Sequence, residues 1–212
     1  MELIENALNY VQSFFENEFS GHDYFHPLRV FKTATRIATA EQADLQIVQL
    51  AALLHDVDDR KLSPQTHASK ANARRFLEEN HVDEARIQQI ITTIGEISYA
   101  GKDSVTPSTL EGQCAQDADR LDAIGAIGIG RAFAFGGNRN RLMHDPAVPP
   151  KLNMTKEDYY HHEATTINHF YEKLFLLTEL MNTPTAKQIA AARNDFMKDF
   201  VAEFLEEWDG LK

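Results

Sequence analysis

Four residues have side chains and settings suited to holding a divalent cation: His26, the adjacent pair His55 and Asp56, and Asp119. His55 and Asp56 close an apolar helical run in the string LAALLHDVDDRK. The carboxyl end of a helix carries partial negative charge, so an imidazolium is welcome there and a carboxylate is not. An Asp beside a His at that end calls for a compensating positive charge, which a metal ion would supply. The other account of the pair is that Asp56 caps the following turn and His55 packs in the core. His26 lies near a helix start in HPLRVF and has a purely structural reading too. So does Asp119, in QDADRLDAIGAIG, which with Asp122 one turn on could be a solvated acidic face.

The elements that position these residues are helical. Ile4, Ala7, Leu8, Val11, Phe14 and Phe15 follow the i, i+3, i+4, i+7 spacing of a buried stripe. Val30, Thr33, Ala34 and Ile37 repeat it behind Pro27, which stands near a helix start where its missing N–H costs little. Leu45, Val48, Ala51, Ala52 and His55 outline a third helix, ending at Val57, Asp58 and Asp59. Ser63 and Pro64 read as an N-cap and first helical residue, leading to Ala68, Ala71, Phe76 and Leu77. Asp83 opens a helix carrying Ile87, Ile90, Ile91 and Ile94. After a polar loop at about 99–107, Ser108 with Glu111 reads as a capping box. The helix it opens carries Cys114, Ala118 and Leu121 and is expected to run to about Phe135.

The stretch 136–155, with Gly136, Gly137, Pro146, Pro149 and Pro150, is the longest irregular segment and a candidate lid or binding loop. A long helix is expected over about 156–181, and Thr183 with Pro184 starts the last one. There is no repeat, no low-complexity tract, no linker and no convincing strand pattern. The expectation is one all-α domain over 1–212.

Bulk properties narrow the function. A net charge of −11 repels a polyanion, and no cluster of five or more Lys and Arg offsets it, which argues against duplex DNA or long RNA as partner. A small phosphorylated substrate stays open, because a few cations in a cleft override the global charge. No apolar run approaches the roughly 18 residues that span a bilayer. The first ten residues carry Glu2 and Glu5 and no basic residue, unlike a secretory signal. With Cys114 the only cysteine, no internal disulfide can form, and a cytoplasmic setting is expected. Cys114 has no basic neighbour to make it a thiolate nucleophile and reads as packing. Gly125, Gly128 and Gly130 do not follow a phosphate-loop order and read as small residues for close helix packing.

A His on one helix, a His-Asp pair on a second and an Asp on a later one is a four-part pattern that resembles the HD-domain superfamily of metal-dependent phosphohydrolases. The strings DADRLDAIGAIGIGRAF and NHFYEKLFLLTELMNTPTAKQIAAAR are similar to its small bacterial YpgQ/YedJ-like branch, and the likeness covers nearly the whole chain. The resemblance implies an HD bundle of helices around a central metal held by His26, His55, Asp56 and Asp119. Two imidazoles and two carboxylates form a mixed donor set suited to Mn2+, with Ni2+, Co2+, Fe2+, Mg2+ or Zn2+ also admitted.

One metal ion is expected. His22, four residues before His26, leaves a second open. The general base implied is Asp59, where related HD nucleotidases also carry an acid, with Asp58 as the alternative. Many HD phosphodiesterases place a Lys there instead, and its absence argues against cyclic dinucleotide hydrolysis. Candidate substrate cations are Arg60 and Lys61 after the turn, Arg139, Arg141 and His144 in the long loop, and Lys173. Asp158, His161 and His162 read as surface or loop residues. The narrower likeness implies a nucleotide pyrophosphatase, yielding a nucleoside monophosphate and pyrophosphate. The alternatives are a nucleoside-monophosphate phosphatase, a non-catalytic nucleotide sensor, and an oxygenase that would need two irons.

Overall fold

In the computed structural model of the protein, residues 2–16, 24–60, 62–98, 105–152 and 164–212 are described. Their regular structure is all helical, and among them there is no strand. They gather into two compact units, the first ending with Asp119 and the second running from Arg120 to the C-terminus.

The first unit is built around a largely apolar helix, whose polar residues are Gln46 and Gln49. Helix α3 (Leu45–Leu54) buries Ile47, Val48 and every residue from Leu50 to Leu54. Leu45 and Gln46 at its start are exposed and Gln49 is half-buried, and the apolar remainder must be covered by other helices. Against it pack α1 (Glu2–Phe14), α2 (Phe25–Glu41) and α5 (Glu84–Ile97), with α4 (Ala71–Glu79) against α5. Ala7, Val11 and Phe15 from the first stripe meet Ile87, Ile90, Ile94 and Ile97 in one core. Asp44 starts α3 by accepting from the N–H groups of Gln46 and Ile47, at 3.0 and 3.2 Å, a cap worth about 1 kcal/mol. It also receives Arg86 Nη1 at 2.6 Å, which ties the starts of α3 and α5. Asp83 caps α5 through Arg86 N–H.

Two expected helix starts differ. Residues 62–70 form turns, and α4 begins at Ala71 rather than at Pro64. The buried Asp58 carboxylate accepts from Asn72 N–H at 3.1 Å and Ala73 N–H at 3.0 Å, which fixes where the free donors of α4 lie. Helix α6 (Leu110–Asp122) is capped not by Ser108 but by Thr109, whose hydroxyl accepts from Gly112 N–H at 3.0 Å. Glu111, expected to complete a capping box, instead accepts from Asp44 N–H.

In the second unit, helical structure stops at Ala123 and resumes as α7 (Gly125–Asn138), so the expected single helix to Phe135 is two. Gly125 stands at φ 75°, in the left-handed region that suits glycine. A Cβ on Gly128 would lie 2.2 Å from the Ala123 carbonyl oxygen, which makes close packing, not phosphate binding, its reason. The expected long helix from about 156 falls partly outside the described residues. What is described begins only after Thr165, whose side chain accepts from Asn168 N–H. This composite run, α8, is α-helical over Thr166–His169, π-helical over Phe170–Leu174, α-helical over Phe175–Leu177 and 3-10 over Thr178–Leu180. The last helix, α9 (Pro184–Trp208), starts as expected, with Thr183 capping Ala186 N–H. No helix of the described residues is long and apolar enough to cross a membrane.

Candidate metal centre

Three helices of the first unit deliver the four residues. His26 is the second residue of α2, His55 is the C-cap of α3 with Asp56 next, and Asp119 is on α6. His26, His55 and Asp56 are buried, at 3%, 5% and 7% exposure, and together form a group able to hold a metal ion. His55 Nε2 is 3.3 Å from His26 Nε2. The two oxygens of Asp56 divide between them, Oδ2 at 3.4 Å from His26 Nε2 and Oδ1 at 3.4 Å from His55 Nε2. Asp119 Oδ1 joins at 3.4 Å from His26 Nε2 and 3.8 Å from His55 Nε2.

The orientation of His55 follows from its other nitrogen. Nδ1 lies 2.9 Å from the Ala52 carbonyl, which only accepts, so Nδ1 carries the hydrogen and donates. In the neutral ring Nε2 then holds the lone pair, aimed at the cluster. Lone pairs and carboxylate oxygens crowded at 3.3 to 3.8 Å in a buried wall repel one another unless protons or a cation stand among them. Burial pushes the Asp119 carboxyl up, but the hydrogen bond from His26 and the attraction of His55 and His26 outweigh it, leaving the carboxyl below its usual range. Asp119 is therefore an anion at neutral pH, the form a metal ligand needs. The donor set fits a divalent ion of borderline hardness.

The other sequence candidates divide by location. Asp59 is half-buried and outside the cluster, with its N–H donating to the Asp56 carbonyl at 3.0 Å. Asp58, the alternative base, is taken up by the start of α4, and its carbonyl also receives His67 Nδ1. Arg60 is exposed beside the turn. Lys61, His22, Asp158, His161 and His162 lie outside the described residues.

In the second unit, Arg139 and Arg141 stand over the Phe135 ring at 5.5 and 5.9 Å. His144 meets the Trp208 ring edge-on at 5.2 Å. Burial, Lys173 and Arg141 together pull His169 down to about 3, so Lys173 and Arg141 converge on a neutral imidazole. Asp122 accepts from Arg131 at 2.6 Å, and Arg120 turns away to the Leu180 carbonyl. Burial, with Asp117, Glu41 and Glu111 adding to it, pushes the Cys114 thiol up to about 12, which leaves it an inert packing residue. Lys70, which no sequence signal marks, is half-buried and attracted by Asp58, Asp59 and Asp56.

A family model described as HD domain matches residues 23–124. The chain is 36% identical to the protein YpgQ of Bacillus subtilis (strain 168), over 98% of this chain and 94% of that one. It is similar to the crystal structure of a Lactobacillus plantarum protein, with 39% identity and a TM-score of 0.85, covering 99% of this chain and 98% of that one. An HD-superfamily hydrolase from Bacillus thuringiensis matches with 40% identity and a TM-score of 0.79, covering 98% and 97%. The crystal structure of YpgQ in complex with ADP matches with 33% identity and a TM-score of 0.76, covering 96% of each chain.

Proposed function

Because the chain belongs to the HD-domain family of metal-dependent phosphohydrolases, we propose that it cleaves a nucleoside or deoxynucleoside triphosphate into the monophosphate and pyrophosphate. The observation that carries the reading is the convergence of two imidazoles and two carboxylates within 3.3 to 3.8 Å. The relative crystallised with ADP supports a nucleotide as the ligand.

His26, His55, Asp56 and Asp119 are the proposed holders of one divalent ion, with Mn2+ as the first choice. When bound, such an ion supplies Lewis acidity toward a phosphoryl oxygen and acidifies water. Asp59 is the proposed general base. It accepts the proton of the attacking water as the new bond forms at the α-phosphorus. The bond from that phosphorus to the bridging oxygen breaks, and the electron pair leaves with pyrophosphate. Ala52 holds the His55 ring through Nδ1, so His55 enters the site in one tautomer. Arg60, next to Asp59 and exposed, is a proposed phosphate contact.

The test is product analysis. The chain, stripped by chelator and resupplied with Mn2+, is incubated with nucleoside tri- and monophosphates, and pyrophosphate and orthophosphate are counted separately. Pyrophosphate from triphosphates, and none without metal, is the expected result. Orthophosphate from monophosphates would replace the reading with a phosphatase, and tight binding with no product would replace it with a sensor.

A further inference from the structure

The candidate metal centre and its turn bring Asp56, Asp58, Asp59 and Asp119 into one part of the first unit. One divalent ion offsets only half of that formal charge, and a nucleotide adds several more negative charges. A site of this composition needs a further cation besides exposed Arg60 to admit its substrate. Lys70 is placed to be that cation.

Its placement has a conformational cost. Lys70 adopts φ 53°, ψ 39°, the left-handed region, which a side chain disfavours relative to glycine. Gln42, His81 and Asn140 also have positive φ, but each follows the end of a helix, where this conformation is a common terminator. Lys70 instead immediately precedes α4. The same helix start grips the Asp58 carboxylate through Asn72 and Ala73, which fixes the Lys70 backbone beside the turn that carries Asp56 and Asp59. Lys70 is half-buried there. Burial pulls it below its ordinary value even against the attraction of Asp58, Asp59 and Asp56, so an arriving anion would further favour its charged form. Neutralising Asp58 alone would not require it, because both Asp58 oxygens already receive a backbone N–H.

We propose that the Lys70 ammonium binds the phosphate chain of the substrate beside the metal centre. The inference rests on the phosphohydrolase reading above and deepens it. Glycine at position 70 relieves the left-handed strain while removing the charge, so Lys70→Gly separates binding from folding.

The probe is α,β-methylene ATP, which the proposed reaction cannot cleave, titrated calorimetrically into the full chain with Mn2+ in excess. Lys70→Gly is expected to raise its Kd about tenfold, the scale of one charge-assisted hydrogen bond, with Mn2+ affinity held and Tm held or raised. Lys70→Arg is expected to stay within about threefold of the original chain. KM for a cleavable triphosphate should rise with the Kd, while kcat changes less. If Lys70→Gly lowers Tm, Lys70→Gln, which keeps most of the stem, is read in its place. An unchanged Kd in the uncharged variant overturns the Lys70 inference and leaves the phosphohydrolase reading standing. An original chain that binds Mn2+ but neither the analogue nor any triphosphate overturns both.

Discussion

Replacing Asp56 with alanine is expected to reduce Mn2+-dependent hydrolysis by at least about a thousandfold, because several kcal/mol of transition-state stabilisation and the activation of water come with the ion. Asp56 is the residue whose removal most directly dismantles the cluster, since its two oxygens each face one imidazole, at 3.4 Å. Its loss leaves His26, His55 and Asp119 with one carboxylate between two rings. The apolar core around α3 contains no part of it, so far-ultraviolet circular dichroism should remain helical. The purely structural account, in which Asp56 only shapes the turn after α3, predicts the reverse: a lowered Tm with full activity in the folded fraction. Full activity in a folded Asp56→Ala chain would remove Asp56 from the metal site.

The second large effect is expected at Asp59. Substituting asparagine keeps the size of the side chain and removes its capacity to take a proton. General-base catalysis contributes on the order of a hundred- to ten-thousandfold, so kcat for Asp59→Asn should fall by that amount. Mn2+ affinity should be nearly unchanged and binding of α,β-methylene ATP should not weaken, because Asp59 is not in the group of residues able to hold the ion and its loss removes a negative charge near the nucleotide. This separation of turnover from binding is what distinguishes a base from a ligand, and the Asp56 and Asp59 variants should therefore fail in different ways. Unaltered turnover in Asp59→Asn would mean that another group, or bulk water, takes the proton.

The candidate site is legible where a local sequence conflict points to it. A helix whose last five residues, Leu50 to Leu54, are apolar and that ends in His55 and Asp56 places a carboxylate against the helix dipole, and such a conflict asks for a cation. The partners on α2 and α6 were legible only as a pattern resembling a family, because no spacing rule brings residues from separate helices within 3.4 Å. The tautomer of His55 was not legible at all, since it depends on the Ala52 carbonyl of the preceding turn.

The misplaced helix boundaries share one cause. Ser63 with Pro64 and Ser108 with Glu111 have good local capping chemistry, yet in each case a distant group took the backbone donor or the side chain that the local motif needed. Asp58 holds the start of α4, and Glu111 serves Asp44 N–H, 67 residues away. Lys70 carries no sequence signal, because its left-handed backbone accompanies that tertiary grip on α4 and a lysine gives no hint of positive φ.

The most direct test of the metal centre is the number of divalent ions each chain holds, from calorimetric titration of Mn2+ into the chelator-stripped protein, with Tm followed alongside. One ion per chain is predicted, with binding lost in Asp56→Ala. Saturation should also raise Tm, since a ligand at a hundredfold excess over its Kd stabilises the native state by about 2.7 kcal/mol. No binding and no shift in Tm would contradict the convergence of His26, His55, Asp56 and Asp119 on a metal, and two ions per chain would contradict the single-metal chemistry built on it.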